Sequence, residues 1–218
     1  MSQPVKIDFV SDVVCPWCAI GLQSLEQAIA RIGGDLQVEL HFQPFELNPQ
    51  MQAGGEDVIE HLTRKYGMSA EQARSNSEAI RQRGEALGFT FNMDRRRRMV
   101  NTFDAHRLLH WAGNEDLDKQ RALKHALLRA YFTDGQDVSS ADVLATVAGT
   151  VGLDEARARA ILGSDEYADA VRAQQRFYQE HGISAVPSVV FNDRHLIQGG
   201  QPVDTFEQAL RQLSGIAG

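Results

Sequence analysis

Both cysteines of this 218-residue chain fall in one hexapeptide, Val13-Val14-Cys15-Pro16-Trp17-Cys18, two residues apart. A C-x-x-C pair exchanges disulfides, supplies half a metal site or closes a structural bridge. A thiol reacts as its thiolate, and at a helix start the unpaired amides and the positive end of the macrodipole stabilise that anion. Thiols so placed in C-x-x-C sequences titrate at roughly 3.5 to 7.5, against about 8.5 for a free cysteine. Cys15 is therefore expected to be the nucleophile. Cys18, one turn further in and more buried, is expected to resolve the mixed disulfide formed on Cys15. On one helical turn the two lie on the same side and within disulfide reach. A zinc site needs four ligands, yet there is no third cysteine, and none of the seven histidines has typical ligand spacing to the pair. A structural bridge over so short a loop would restrain little of the unfolded chain.

The elements around the pair are those that would present it. Residues 5–10 alternate apolar and polar as a strand with one buried face. Leu22, Leu25, Ile29 and Ile32 recur at helical spacing, so a helix is predicted over 16–32, with Pro16 in its first turn and Gly33-Gly34 as its stop. Residues 36–42 alternate again. Strand, helix, strand at this spacing is a βαβ unit with parallel strands. From about residue 55 the pattern becomes purely helical for over a hundred residues. Helices are predicted around Val58–Leu62, from Ser69 (a capping box with Gln72) towards residue 87, through Ala105–Ala112, Leu123–Tyr131 and Leu144–Val151, and from Tyr167 to about Gly182. Strand character returns at 188–191 and 195–197 around an Asn192-Asp193 turn, and a last helix starts after Pro202 and stops at Gly215. The order βαβ, helices, ββα places a helical block inside a single α/β domain.

Composition excludes other classes. The hydrophobic fraction of 43% and charged fraction of 23% describe an ordinary globular protein. A net charge of −7 gives no general attraction to nucleic acid or anionic lipid. The run Asp94-Arg95-Arg96-Arg97-Arg98-Met99 is the one basic cluster; without interleaved aromatics it is expected to be a solvated, salt-bridged segment, with some arginines at the entrance of the active-site cleft. There is no transmembrane segment and Met1-Ser2-Gln3-Pro4 lacks the pattern of a secretory signal, so the expected location is cytoplasmic, where paired cysteines are more often catalytic. No phosphate loop, G-x-S-x-G elbow or zincin sequence occurs. His106 and His110 stand one helical turn apart, which alone makes a weak metal site; packing and supporting roles are favoured, and no metal is expected. His41 is expected to be structural.

Asp12 through Cys18 to Gly21, the helical insertion, and Val186-Pro187 ahead of a hairpin together resemble the thioredoxin superfamily, and more closely the FrnE-type branch of the DsbA-like oxidoreductases, related to 2-hydroxychromene-2-carboxylate isomerase and kappa-class glutathione transferase. The resemblance covers nearly the whole chain. It implies an α/β thioredoxin-like domain made of residues 1–55 and 182–218, with 56–181 as an inserted helical domain. It also implies a cis Val186–Pro187 bond beside Cys15, the Val186 backbone being free to pair with an extended substrate. Pro16, Trp17, Val186, Pro187, Gly200 and Gln201 are then expected to bind substrate. Asn101 and His106 belong to a family-like segment near the site, while Asp12 either acts as a local acid or fixes the turn before Cys15.

The expected activity is thiol–disulfide oxidoreduction, acting on a disulfide-containing protein or a small thiol or disulfide, with no tightly bound cofactor and with glutathione as a candidate co-substrate. The alternative is a glutathione-dependent isomerase or transferase acting on a small aromatic or polyketide-like molecule, glutathione pairing with Val186 and its carboxylate meeting amides near Gly200-Gln201. Against it, such relatives use a serine near the first motif position, whereas this chain keeps both thiols. A peptide-binding module with idle thiols is a third class. Sequence gives neither the redox direction nor the oligomeric state.

Overall fold

The computed structural model describes residues 4–216. The N-terminal tripeptide read for a targeting signal, and the outermost ends of the expected domain bounds, lie outside the described residues.

Strand β1 (Val5–Ser11) is buried along nearly its whole length because it is central: the sheet order is β2-β1-β5-β6. It pairs in parallel with β2 (Val38–Pro44), Val5 opposite Val38 through Ser11 opposite Pro44, and antiparallel with β5 (Ser188–Phe191). The crossover between β1 and β2 is helix α1 (Pro16–Ile32), as the βαβ pattern requires. Strand β2 begins two residues later than its apolar alternation suggests, because Leu36 closes a short 3₁₀ turn on Gly33 and leaves the ladder to start beyond it. The hairpin of β5 and β6 (His195–Gln198) turns through the three residues between the paired Phe191 and His195, with Asn192 and Asp193 at positive φ values of 49° and 57°.

Between the halves run β3 (Glu56–Asp57), α2 (Val58–Tyr66), α3 (Ala70–Ala86), β4 (Arg98–Met99), α4 (Phe103–Glu115), α5 (Leu117–Phe132), α6 (Ala141–Thr150), α7 (Glu155–Leu162) and α8 (Ala168–Glu180); α9 (Val203–Ser214) closes the chain. The fold class is the expected one, a mixed sheet with a helical insertion. Helix starts and stops follow local chemistry. Ser69 and Gln72 make the reciprocal capping box, Gly67 and Gly215 end α2 and α9 in the left-handed region, and Asp154 caps α7, a helix the apolar periodicity did not suggest.

Two further features depart from expectation. The supposedly strand-free insertion holds the antiparallel pair β3–β4, two residues a side and too short for any alternation to mark. Gly55 permits it: a Cβ there would lie 2.1 Å from Met99 O, and its φ is +63°. The arginine run is solvated at Arg95, Arg97 and Arg98, as expected, but it is not ion-paired and one of its members is enclosed. Pairing of β4 turns Arg98 onto the carbonyls of Gly54 and Gly55, Arg96 is buried, and among the described residues none of the four makes an ion pair.

The insertion is not a loose appendage. Helices α4, α5 and α8 pack on β2, whose outer edge would otherwise be open. Gln120 of α5 closes it, its Oε1 accepting from Phe42 N at 3.1 Å and its Nε2 donating to Phe42 O at 3.2 Å.

Candidate functional site

Cys15 is the N-cap of α1, with Pro16 in the first turn. Its Sγ accepts from the Cys18 amide at 3.3 Å, a contact that strengthens as charge develops on the sulfur. Both cysteines are free thiols, Cys15 4% exposed and Cys18 fully buried. Burial, and then the neighbouring Cys15, push the Cys18 thiol well above the ordinary cysteine range. The environments of the two sulfurs thus differ in the sense needed for one to attack first and the other to follow.

Across from α1 the Val186–Pro187 peptide is cis, as the resemblance implied. Cys15 Sγ lies 3.8 Å from Val186 O, and among the described residues this is the only hydrogen-bond contact of the Val186 backbone. Close approach of the loop to α1 depends on Gly21, where a Cβ would stand 3.1 Å from Pro187 Cγ. Trp17 is 41% exposed beside the pair, with the Arg83 guanidinium 5.7 Å from its ring.

Cys15, Pro16, Trp17 and Val186 share a cavity of about 400 Å³, walled mainly by apolar side chains of α2, α3 and β4 such as Leu62, Ile80 and Met99, with His61, Asn76 and Arg96 among its polar lining. A cavity of about 470 Å³ between residues 48–55 and the start of the insertion, and one of about 520 Å³ within the insertion, touch no cysteine.

The remaining expected residues divide. Asp12 is fully buried under the motif: its Oδ2 accepts from Leu47 N at 2.7 Å, and its backbone O accepts from Cys15 N at 3.3 Å. Oδ1 receives no well-formed hydrogen bond; His106 Nε2 lies 3.4 Å away but also 3.1 Å from Phe45 O, and a carbonyl beside that nitrogen requires it to carry the proton. Burial raises the Asp12 carboxyl, but His106, the Leu47 amide and Thr102 outweigh it and hold the group below its ordinary value. The structure therefore brings Asp12 and His106 together. Asn101 instead accepts from Phe103 N at the start of α4 and does not line the cavity. Gly200 packs against Trp17, where a Cβ would meet Trp17 O at 3.1 Å, while the Gln201 amide already donates to Gly199 O. His110 bonds Gln174 at 3.2 Å, and no group of three metal-binding side chains occurs among the described residues.

Sequence reasoning missed Lys124. It sits on α5 with 0% exposure, its Nζ has no hydrogen-bond partner among the described residues, and it lies 6.0 Å from the Phe42 ring centroid. Burial lowers its pKa, while the charges of Cys18, Asp12 and Cys15 pull it back up. The available signal was positional: Lys124 occupies the same helical face as Leu127, Leu128 and Tyr131.

A mixed sheet whose first strand feeds a C-x-x-C at a helix start, faced by a cis-proline loop, defines the thioredoxin-like class of thiol–disulfide proteins. Within that class the chain belongs to the DSBA-like thioredoxin domain family, whose model matches residues 6–211, and it is an oxidoreductase of that DsbA-like kind. It is 30% identical to the uncharacterized protein YwbO of Bacillus subtilis over 207 residues, 94% of this chain and 96% of that one. Among solved structures it resembles a probable DsbA oxidoreductase of Streptomyces coelicolor, with a TM-score of 0.88, 34% identity, and 98% and 92% of the two chains covered. The fold is shared too with the cytosolic disulfide reductase DsbM of Pseudomonas aeruginosa, solved with GSH, at a TM-score of 0.64, 17% identity, and 95% and 98% coverage. Among the described residues no helix is long and apolar enough to cross a membrane.

Proposed function

We propose that the chain exchanges disulfides through Cys15 and Cys18. The observation carrying this reading is the Cys15 sulfur at the head of α1, receiving the Cys18 amide and facing, across the cis-proline loop, a Val186 backbone that has no other hydrogen-bond partner among the described residues. The Cys15 thiolate attacks one sulfur of a substrate disulfide, forming a mixed disulfide and releasing the other sulfur as a thiolate. Cys18 gives up its proton and attacks Cys15, releasing the second thiolate and leaving the Cys15–Cys18 disulfide. One substrate disulfide is reduced for each pair of thiols oxidised, and the reverse sequence oxidises substrate. Direction depends on the pair's potential against its compartment, which we take to be the cytoplasm. Substrate backbone pairs with Val186, flanked by Pro16, Trp17 and Pro187; a small thiol such as glutathione fits the recycling step. Gly200 supports Trp17 in this reading, and Asp12 with His106 fixes the turn ahead of Cys15.

Two retained thiols favour oxidoreduction over a glutathione-dependent isomerase. The test is turnover of a disulfide substrate. Cys15→Ser is expected to abolish it, and Cys18→Ser to accumulate mixed disulfides visible by mass spectrometry. Full activity in Cys15→Ser would refute the mechanism.

A further inference from the structure

Arg96 is the odd residue of the cleft. Of the four consecutive arginines it alone is buried, 8% exposed, and it lines the same cavity as Cys15 and Val186. Its guanidinium lies 5.9 Å from the Tyr131 ring centroid and 5.6 Å from that of Phe132, which hold it in place without neutralising it. A guanidinium stays charged at any physiological pH and carries five N–H donors in a planar fork that matches a carboxylate. Among the described residues no acceptor meets those donors and no carboxylate lies within ion-pair distance. Asp57, Glu78 and Asp94 line the adjoining cavity with Arg96, but Asp57 is engaged by the Ile59 and Glu60 amides, and Glu78 by Arg81 and Gln82. A largely buried cation without a counter-ion among the described residues, in the cavity that also holds Cys15 and whose walls are mainly apolar with Asn48, His61, Asn76 and Ser77 as the polar exceptions, describes a receptor for an anion attached to an apolar body.

The geometry points to Arg96 as a carboxylate subsite of the Cys15 cleft, and to low-molecular-weight organic disulfides bearing a carboxylate on an apolar, ring-sized body as the preferred substrate class. This rests on Cys15 being the nucleophile. The cavity of about 400 Å³ is near the small end of ligand pockets, which suits one ring and its acid group.

The probes are two aromatic disulfides, the dianionic dithiobis(nitrobenzoate) and the neutral dithiodipyridine. With either, the Cys15 thiolate attacks one sulfur, the probe's S–S bond breaks and one arylthiolate leaves. Cys18, its proton lost to solvent, displaces the second arylthiolate, so that two protein thiols become a disulfide and the probe becomes two arylthiols. The quantity read is the ratio of second-order rates, carboxylate probe over neutral probe, for release of the first arylthiolate by the full reduced chain. Arg96→Gln is expected to lower this ratio at least tenfold, about 1.4 kcal/mol. Arg96→Lys, which keeps charge but loses the fork, should fall between. Benzoate should slow wild type and lose that effect in Arg96→Gln. A ratio unchanged in Arg96→Gln, or inorganic phosphate protecting wild type better than benzoate, overturns the subsite. Cys15→Ser separates the two readings: if it releases arylthiolate as fast as wild type, the nucleophile assignment falls, whereas an unchanged ratio with Cys15-dependent release removes only Arg96.

Discussion

Cys18 has a difficult task, since it must ionise inside the protein before it can displace a substrate from Cys15. Burial and the adjacent Cys15 sulfur both oppose that ionisation, and Lys124 is the cation acting against them. A lysine held without any hydrogen-bond partner is costly to the fold, and its placement is explained by the charge it presents to the resolving sulfur. Lys124→Met should therefore leave stability unchanged or raised, because it removes an uncompensated charge and strands no partner. It should at the same time move the pH profile of resolution to higher pH and lengthen the life of the mixed disulfide near neutrality by roughly three- to tenfold. Quenched-flow mass spectrometry of the mixed disulfide across pH measures this; an unmoved profile would leave Lys124 a packing residue. At this scale the residues legible in sequence were those whose identity is the chemistry: Cys15, Cys18 and the proline after Val186. Lys124 was not, since an isolated basic residue reads as solvated surface until folding shows it enclosed, and the arginine run, though expected near the cleft entrance, did not show that Arg96 is the member buried there.

The elements that shape the cleft were legible where a cap or a full apolar stripe marked them. Helix α1, the capping box of α3 and the turn at Asn192-Asp193 each follow from a few adjacent residues. The later start of β2 and the β3–β4 pair were not, because a 3₁₀ turn and two-residue ladders arise from contacts across the fold rather than from periodicity. Helix α3, which walls the cleft opposite Cys15, shows the same dependence on remote packing. A Cβ at Gly84 would stand 2.3 Å from Phe91 Cδ2 and 2.8 Å from Phe89 O. Phe91 cannot retreat, being 2% exposed and packed 4.6 Å from Phe89 and 5.1 Å from Phe132, centroid to centroid. Gly84→Ala gains about 1 kcal/mol of helix propensity, but overpacking typically costs about 1–3 kcal/mol, and here backbone blocks relief. The variant should therefore unfold at lower denaturant concentration and with unchanged m-value, and the displaced α3 should slow reaction at Cys15 with bulky disulfides more than with small ones. Equal or greater stability in equilibrium unfolding would contradict this packing.

At the scale of the whole molecule, we propose that residues 1–55 with 182–218 and the inserted block 56–181 unfold as one unit, since a single apolar core runs through both. Besides neutral ties such as Gln120 with the Phe42 backbone, some of their polar ties are charged and acid-sensitive. Glu26 of α1 meets Arg121 and His125 of α5 at 2.6 and 2.9 Å, and Asp12 meets His106 of α4. Burial alone would raise the Glu26 carboxyl, but His125 and Arg121 outweigh it and hold it below its ordinary value of 4.5. A carboxylate with a depressed folded pKa contributes stability that is complete above its unfolded value and is lost as pH falls through the folded one. Asp12 acts in the same sense from its ordinary 3.8, whereas Glu46, raised above its ordinary 4.5 by burial, acts in the opposite sense. Exposed pairs such as Glu78 with Arg81 add little because solvent screens them. Stability should thus hold from neutrality to about pH 5 and then fall steeply towards about pH 3. Glu26→Gln keeps the size of the side chain and removes the titration. It should lower stability at neutral pH and flatten the decline below pH 4.5, so that wild type and variant converge in acid. Denaturant melts followed by far-ultraviolet and tryptophan signals measure both points at once: parallel curves for the two proteins would remove Glu26 as a source of the acid dependence, and separate transitions for the two signals would show the helical block coming away from the sheet on its own.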